Sequence, residues 1–162
     1  MIVDVVDDDL LDACVPVLRE AFGTVAGEFG LTPETAPTNA AFIDAGRLRD
    51  LADRGYRTFA LLDEDGQPIG CVSLRPSRVE GAVDIERLAV LPRHRHHGHG
   101  SALLDHAVAV ARGLGATAVA VGIIDENTRL KTWYLAKGFT ETGTRTFDHL
   151  PFTVCFLTAP VT

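Results

Sequence analysis

Apolar and polar positions recur along the chain with periods that mark out its elements. Ile2–Val6 reads as a strand. Asp7, Asp8 and Asp9, which follow it, suit the start of a helix, where carboxylates cap free amides and meet the positive end. Leu10, Leu11, Cys14, Val17, Leu18 and Phe22 share one face of that helix, and Pro16 within it predicts a kink. Residues 23–36, with Gly27, Gly30 and Pro33, read as a loop. Thr38 or Asn39 then caps a second helix that runs to about Asp53 and ends at Gly55. Two apolar runs, Tyr56–Asp63 and Pro68–Arg75, flank Glu64-Asp65-Gly66-Gln67 as an antiparallel hairpin. Ala82–Leu91 is a further strand.

The second half keeps the same clarity. Leu103, Ala107, Val110, Ala111 and Leu114 give helical spacing across 98–113, and Ala116–Ile124 reads as a strand. A helix over 127–137 closes on Gly138. Two last strands, Phe139–Phe147 and Phe152–Thr158, are split by Asp148-His149-Leu150-Pro151. The order β-α-α-β-β-β-α-β-α-β-β predicts a mixed α/β sheet. Its segment 82–124 forms a βαβ unit, expected to be parallel and right-handed.

Composition narrows the class. At 162 residues, 46% hydrophobic, the chain is expected to form one domain over residues 1–162 with its own core. No apolar run reaches the ~18 residues that span a bilayer. The first residues lack a basic leader pattern, so a cytoplasmic location is expected, with no membrane partner. Cys14, Cys71 and Cys155 lie far apart in apolar segments and read as buried, unpaired thiols. A net charge of −7 argues against nucleic acid as a partner and is compatible with a cationic acceptor.

The most informative stretch is 85–104, IERLAVLPRHRHHGHGSALL. A strand enters a basic loop with two glycines, and the glycines open into a helix. Such a loop offers a run of backbone N–H groups at a helix's positive end, a site for a diphosphate, with Arg95 placed for a bidentate contact. A Rossmann fingerprint fails because its third glycine position is Leu103. A P-loop fails because Gly100 is followed by Ser101-Ala102.

A second block, Asn127-x6-Tyr134-x3-Gly138-Phe139, lies one βα unit later. Together with Arg95-x-x-Gly98-x-Gly100 it resembles the GNAT superfamily of acyl-coenzyme A-dependent N-acetyltransferases, chiefly over residues 56–147. The resemblance implies a GNAT-like, mostly antiparallel sheet with a central parallel βαβ unit and flanking helices. It implies acetyl-CoA as co-substrate and direct transfer to a primary amine, expected to be that of a small metabolite. Backbone groups of Leu88, Ala89 and Val90 would pair with the pantetheine arm like an added strand. The loop Arg95, His96, His97, Gly98, His99, Gly100 and Ser101 would hold the pyrophosphate. Asn127 would anchor the arm or the strand splay, and Tyr134 would protonate the leaving thiolate. Glu86 is the candidate base, acting through water, with Asp84 on the same strand face in reserve. A base matters because neutralising a lysine-like amine at pH 7 costs about 4–5 kcal/mol, and an α-amine nearer ~1.

The chain departs from the family's pattern in places. His99 stands where an aliphatic residue is usual, Leu130 where alanine is frequent, and Trp133 where leucine is. Gly122 replaces the glutamate carried by enzymes that acetylate ribosomal-protein N-termini, which weighs against a peptide acceptor. The cluster His94, His96, His97 and His99 reads as a basic rim for phosphate, and no metal site is expected. Tyr134 and Trp133 have a bland reading as core aromatics, Glu86 as an ion-pair partner and His149 as a turn residue. The acceptor site is expected among the N-terminal helices, residues 22–42 and the His149 loop, with Phe22, Phe29 and Phe42 as candidate lining. Alternatives are acetylation of a protein lysine or N-terminus and a non-catalytic acyl-CoA sensor. Either a monomer or a homodimer fits.

Overall fold

The computed structural model describes all 162 residues. Strand β1 (Ile2–Asp4) leads through Asp7 into α1 (Asp8–Phe29), where the Asp7 carboxylate accepts from Leu10 N–H at 2.8 Å. Leu11, Cys14, Val17, Leu18 and Ala21 form its buried stripe. The helix runs on through Pro16 and across Gly23 and Gly27, so the loop expected from residue 23 begins only at Gly30. Both glycines are exposed, and each costs about 1 kcal/mol relative to alanine. Burial of Ala26 and packing of Phe22, Val25 and Phe29 offset that cost. Gly30, at φ +66°, then ends the helix in the left-handed conformation that glycine tolerates.

The expected second helix is two pieces. Asn39 caps a short 3-10 turn, Ala40–Phe42, and Asp44 caps α2 (Ala45–Asp53) by accepting from Arg47 N–H at 2.8 Å. Strands β2 (Arg57–Leu62), β3 (Pro68–Pro76) and β4 (Ala82–Val90) follow. Then come α3 (His99–Gly113), β5 (Ala118–Ile124), α4 (Thr128–Ala136), β6 (Thr140–Thr146) and β7 (Thr153–Pro160). These match the predicted elements to within a few residues.

The seven strands form one sheet in the order β1-β2-β3-β4-β5-β7-β6. Every neighbouring pair is antiparallel except β4 and β5, the pair joined through α3. Alternation along β3 puts helices on both faces. Cys71 is turned toward Cys14 of α1, whereas a Cβ on Gly70 would meet Leu103 of α3 at 2.9 Å. The core therefore lies in two layers, one under α1 and one under α3. All three cysteines are free and buried. A smaller apolar cluster, Ala26, Leu31, Ala36, Ala41 and Ile124, ties the segment after α1 to the end of β5. No helix is long and apolar enough to cross a membrane.

Candidate active site

The site begins with a divergence. β4 and β5 pair only through Ala82–Asp84 and Ala118–Ala120, and beyond that point they separate. β5 stays paired to β7 along its length and β4 to β3, so a cleft opens between Ile85–Val90 and Val121–Ile124. A bulge lies on its β4 side. Cys71 pairs with Ala89 and Ser73 with Glu86, leaving Arg87 and Leu88 opposite Val72 alone, with Arg87 at φ +50°.

Backbone direction decides what this wall offers. Leu91 N–H donates to Ile69 of β3 at 2.9 Å, so Ala89, two residues back, also faces the ladder. Leu88 and Val90 face the cleft instead. Of the three residues expected to pair with a pantetheine arm, Ala89 is thus engaged within the sheet. The carbonyl of Val90 already accepts from Arg95 Nε at 3.2 Å. Leu88 and the N–H of Val90 are the groups that remain.

The loop after β4 leaves a run of backbone N–H groups unpaired. Pro92–His94 makes a 3-10 turn, His96 and Gly98 take left-handed backbone at φ +66° and +81°, and α3 starts at His99 with no side-chain cap. The backbone N–H groups of His96, His97, Gly98, His99, Gly100 and Ser101 donate to no acceptor within the chain. Consecutive free amides at a helix start form the kind of concavity that holds phosphate oxygens. The imidazoles gather at its rim, His99 lying 6.5 Å from His94 and 6.1 Å from His97 between ring centres.

Arg95 has a different place from the one expected. Its Nη2 donates to Ala21 O at 3.0 Å, Nη1 and Nη2 both reach Thr24 Oγ1 at 3.3 Å, and Nε holds Val90. The guanidinium therefore pins the loop to α1 and presents no free fork to a phosphate. The role of Asn127 also shifts, because its Oδ1 caps α4 by accepting from Leu130 N–H at 3.2 Å.

Tyr134 sits on α4 with its ring buried between Trp133 and Phe139, at 5.0 and 5.1 Å between ring centres. Its hydroxyl makes no hydrogen bond within the chain and is not among the sealed polar atoms, so it keeps an opening to solvent. Burial pushes the phenol above its usual value and holds it protonated. α4 also adjoins the anion loop, since a Cβ on Gly100 would lie 3.6 Å from Trp133.

Glu86 lies on the α1–α2 face of β4 between two guanidinium groups. Its Oε1 is 3.0 Å from Arg75 Nε and its Oε2 is 3.3 Å from Arg87 Nη1. Asp84 shares Arg75 at 3.2 Å, and Arg75 Nη1 donates to the Tyr56 hydroxyl at 3.0 Å. The sequence singled out the two carboxylates and missed Arg75, Arg87 and Tyr56. Only the β3–β4 register, which sets Arg75 opposite Asp84, brings them together.

The expected acceptor residues are dispersed. Phe22, Phe29 and Phe42 pack around the small cluster at Ile124, and His149 rests against Phe147 at 5.6 Å. Phe29 also borders a pocket of about 340 Å³ with Glu28, Glu126, Asn127, Thr128 and Arg129, between the end of α1 and the start of α4. A Cβ on Gly122 would meet Val154 at 3.3 Å and Phe156 at 3.4 Å, so a glutamate there would force its neighbours aside. One further acidic group, Asp125 and Glu141 beside Cys155, is bridged by Lys131, whose ammonium lies 2.7 and 3.1 Å from the carboxylates.

Comparison with known proteins places this arrangement in context. The acetyltransferase (GNAT) family model matches residues 18–139. An amino-acid acetyltransferase of Azotobacter vinelandii is 33% identical over 126 residues, covering 78% of this chain and 28% of that protein. The chain thus spans little more than a quarter of the length of the curated relatives it matches. The ribosomal-protein-S18-alanine N-acetyltransferase from Escherichia coli has a TM-score of 0.76 at 17% identity, over 100% of this chain and 94% of that one. A phosphinothricin acetyltransferase from Sinorhizobium meliloti, solved in complex with AcCoA, has a TM-score of 0.72 at 24% identity, over 99% and 87%.

Proposed function

We infer the reaction from one premise: the chain belongs to the GNAT acetyltransferase family. We propose that it moves the acetyl group of acetyl-CoA to the α-amine of an amino acid. One observation carries the cofactor half of this reading. The opened β4–β5 cleft runs beside six free backbone amides and an unpartnered, protonated tyrosine. The acceptor half draws its support from the relatives named as amino-acid acetyltransferases.

The free amides from His96 to Ser101 hold the pyrophosphate, and the histidine rim offers imidazole donors beside it. Val90 N–H and the backbone of Leu88 bind the pantetheine arm along the β4 wall. Asn127 keeps its amide nitrogen for the arm while its oxygen caps α4. When bound, acetyl-CoA supplies an activated acyl carbon and a thiolate leaving group. Tyr134 gives its phenolic proton to the departing sulfur. Glu86 draws the ammonium proton through a water, because two of its four lone-pair sites remain after the arginines are served.

This chain's Glu86 faces a task of intermediate size. A neighbouring carboxylate raises an α-amine above its peptide-terminus value, so neutralising it costs between ~1 and about 4–5 kcal/mol at pH 7. Crowding at Gly122 weighs against the peptide-terminus alternative. The direct test is a thiol-release assay with acetyl-CoA across a panel of L-amino acids. Saturable release with at least one amino acid supports the reading, and release only with polyamines or peptides overturns it.

A further inference from the structure

Arg87 is set apart from the guanidinium groups beside it by buried donors that meet nothing in the chain. Arg75 gives Nε to Asp84 and Glu86 and Nη1 to Tyr56, and Arg95 is tied to α1 and Val90. Arg87 donates only Nη1, to Glu86 Oε2. Its Nε and Nη2 are sealed from solvent and have no hydrogen-bond partner in the chain. Those two nitrogens lie along a single edge of the guanidinium, and their parallel N–H bonds match the two oxygens of a carboxylate. Leaving such an edge buried and unmatched is costly, and an unmatched buried donor in a native fold calls for a reason.

The position of Arg87 supplies one. It stands at the β4 bulge, in left-handed backbone, where the strand wall turns toward the cleft. The bulge directs the side chain to the α1–α2 face, beside Glu86 and against Tyr56, whose ring lies 5.1 Å from the guanidinium carbon. The charged and titratable groups facing it are Glu86 on its own strand, Cys71 on β3, Tyr56 at the start of β2 and Arg47 on α2. Burial draws its proton affinity down without a second carboxylate to restore it.

We propose that the free Nε/Nη2 edge of Arg87 binds the carboxylate of the acceptor amino acid, so that Glu86, on the next residue, meets its amine. The inference rests on the amino-acid reading above. The edge is sealed, so a neighbouring side chain has to move to admit the carboxylate, and half-buried Tyr56 is one already packed on that guanidinium. Pairing that carboxylate with a cation also removes the field that keeps the adjacent ammonium protonated, which eases the work of Glu86.

The test compares L-amino acids with their carboxamides as acceptors, in the wild type and in Arg87→Lys and Arg87→Gln. The readout is the ratio of kcat/KM for acid over amide, which cancels any general effect on turnover through Glu86. A bidentate charged contact predicts that the ratio falls about 10- to 100-fold in both variants, lysine lacking the fork. An unchanged ratio in folded variants overturns the assignment while leaving the amino-acid reading intact. Failure of the wild type to acetylate any amino acid overturns both. Should the variants not fold, the Nε–H resonance of Arg87 in the wild-type protein decides. It shifts with an accepted amino acid and not with its amide if the assignment holds, and a resonance indifferent to both refutes it.

Discussion

Tyr134→Phe pulls stability and catalysis in opposite directions. The substitution removes one oxygen whose ring is buried and which hydrogen-bonds to nothing in the chain. A structural hydroxyl would leave a partner stranded, but here none exists. The fold is therefore expected to keep its stability or gain up to ~1 kcal/mol, a rise of no more than about 4 °C in Tm for a chain of this size. If the hydroxyl protonates the leaving thiolate, kcat falls about 10²- to 10⁴-fold, or roughly 3–5 kcal/mol of barrier. Acetyl-CoA affinity stays within about threefold, because the backbone amides that hold the phosphates are untouched. Differential scanning calorimetry, cofactor titration and steady-state rates on one preparation suffice. A kcat within threefold of wild type, or a Tm drop beyond about 4 °C, refutes the reasoning. Alkaline pH adds a check. The folded-state phenol lies above the ordinary tyrosine value of 10.0, so its contribution to stability is complete below pH 10 and is lost as pH rises beyond it. The phenylalanine variant has no such contribution to lose, and the Tm difference between variant and wild type should widen above pH 10.

Two further substitutions probe the walls of the cleft. Glu86→Gln strands Arg75 and Arg87 and lowers kcat/KM about 10²-fold if the carboxylate is the base; a loss of Tm by a few degrees with activity retained makes it structural only. Arg95→Ala frees the loop from Ala21 and Thr24 and weakens acetyl-CoA binding about 10-fold. Because the guanidinium contacts protein rather than phosphate, the salt dependence of Kd should match the wild type, and a shallower dependence in the variant contradicts that placement.

The parts of the fold that were legible in the sequence are those where one signal dominated. The hairpin around Gly66, the parallel unit from Ala82 to Ile124 and the glycine loop all carry period and turn chemistry that agree. The first helix outruns its sequence signal because Gly23 and Gly27 read as breakers, while its extension depends on Phe22, Val25 and Phe29 reaching a cluster at Ile124, far away in sequence. The second helix divides because Asn39 caps a short 3-10 turn and Asp44 caps a separate start, two N-cap residues that the local pattern does not rank. At the site, the backbone arrangement was readable and the side-chain contacts were less so. The free amides follow from the glycines, but Arg95 looked like a phosphate ligand until the packing of α1 against the loop gave it Ala21 and Thr24. Arg75, Arg87 and Tyr56 had no local signal, since a strand register and a bulge assemble them.

Calorimetric titration with acetyl-CoA, run beside Gly98→Val, asks whether the free amides of the loop hold the cofactor. Gly98 lies at φ +81° with nothing in the chain within 4 Å of a built Cβ. A β-branched residue there strains the loop by about 1–3 kcal/mol without clashing with the fold. The native protein is expected to bind at micromolar concentration and the folded variant at least about 100-fold more weakly, as the amides lose their common direction. Binding that the substitution leaves unchanged, or a native protein that takes up no acetyl-CoA, contradicts that role of the amides.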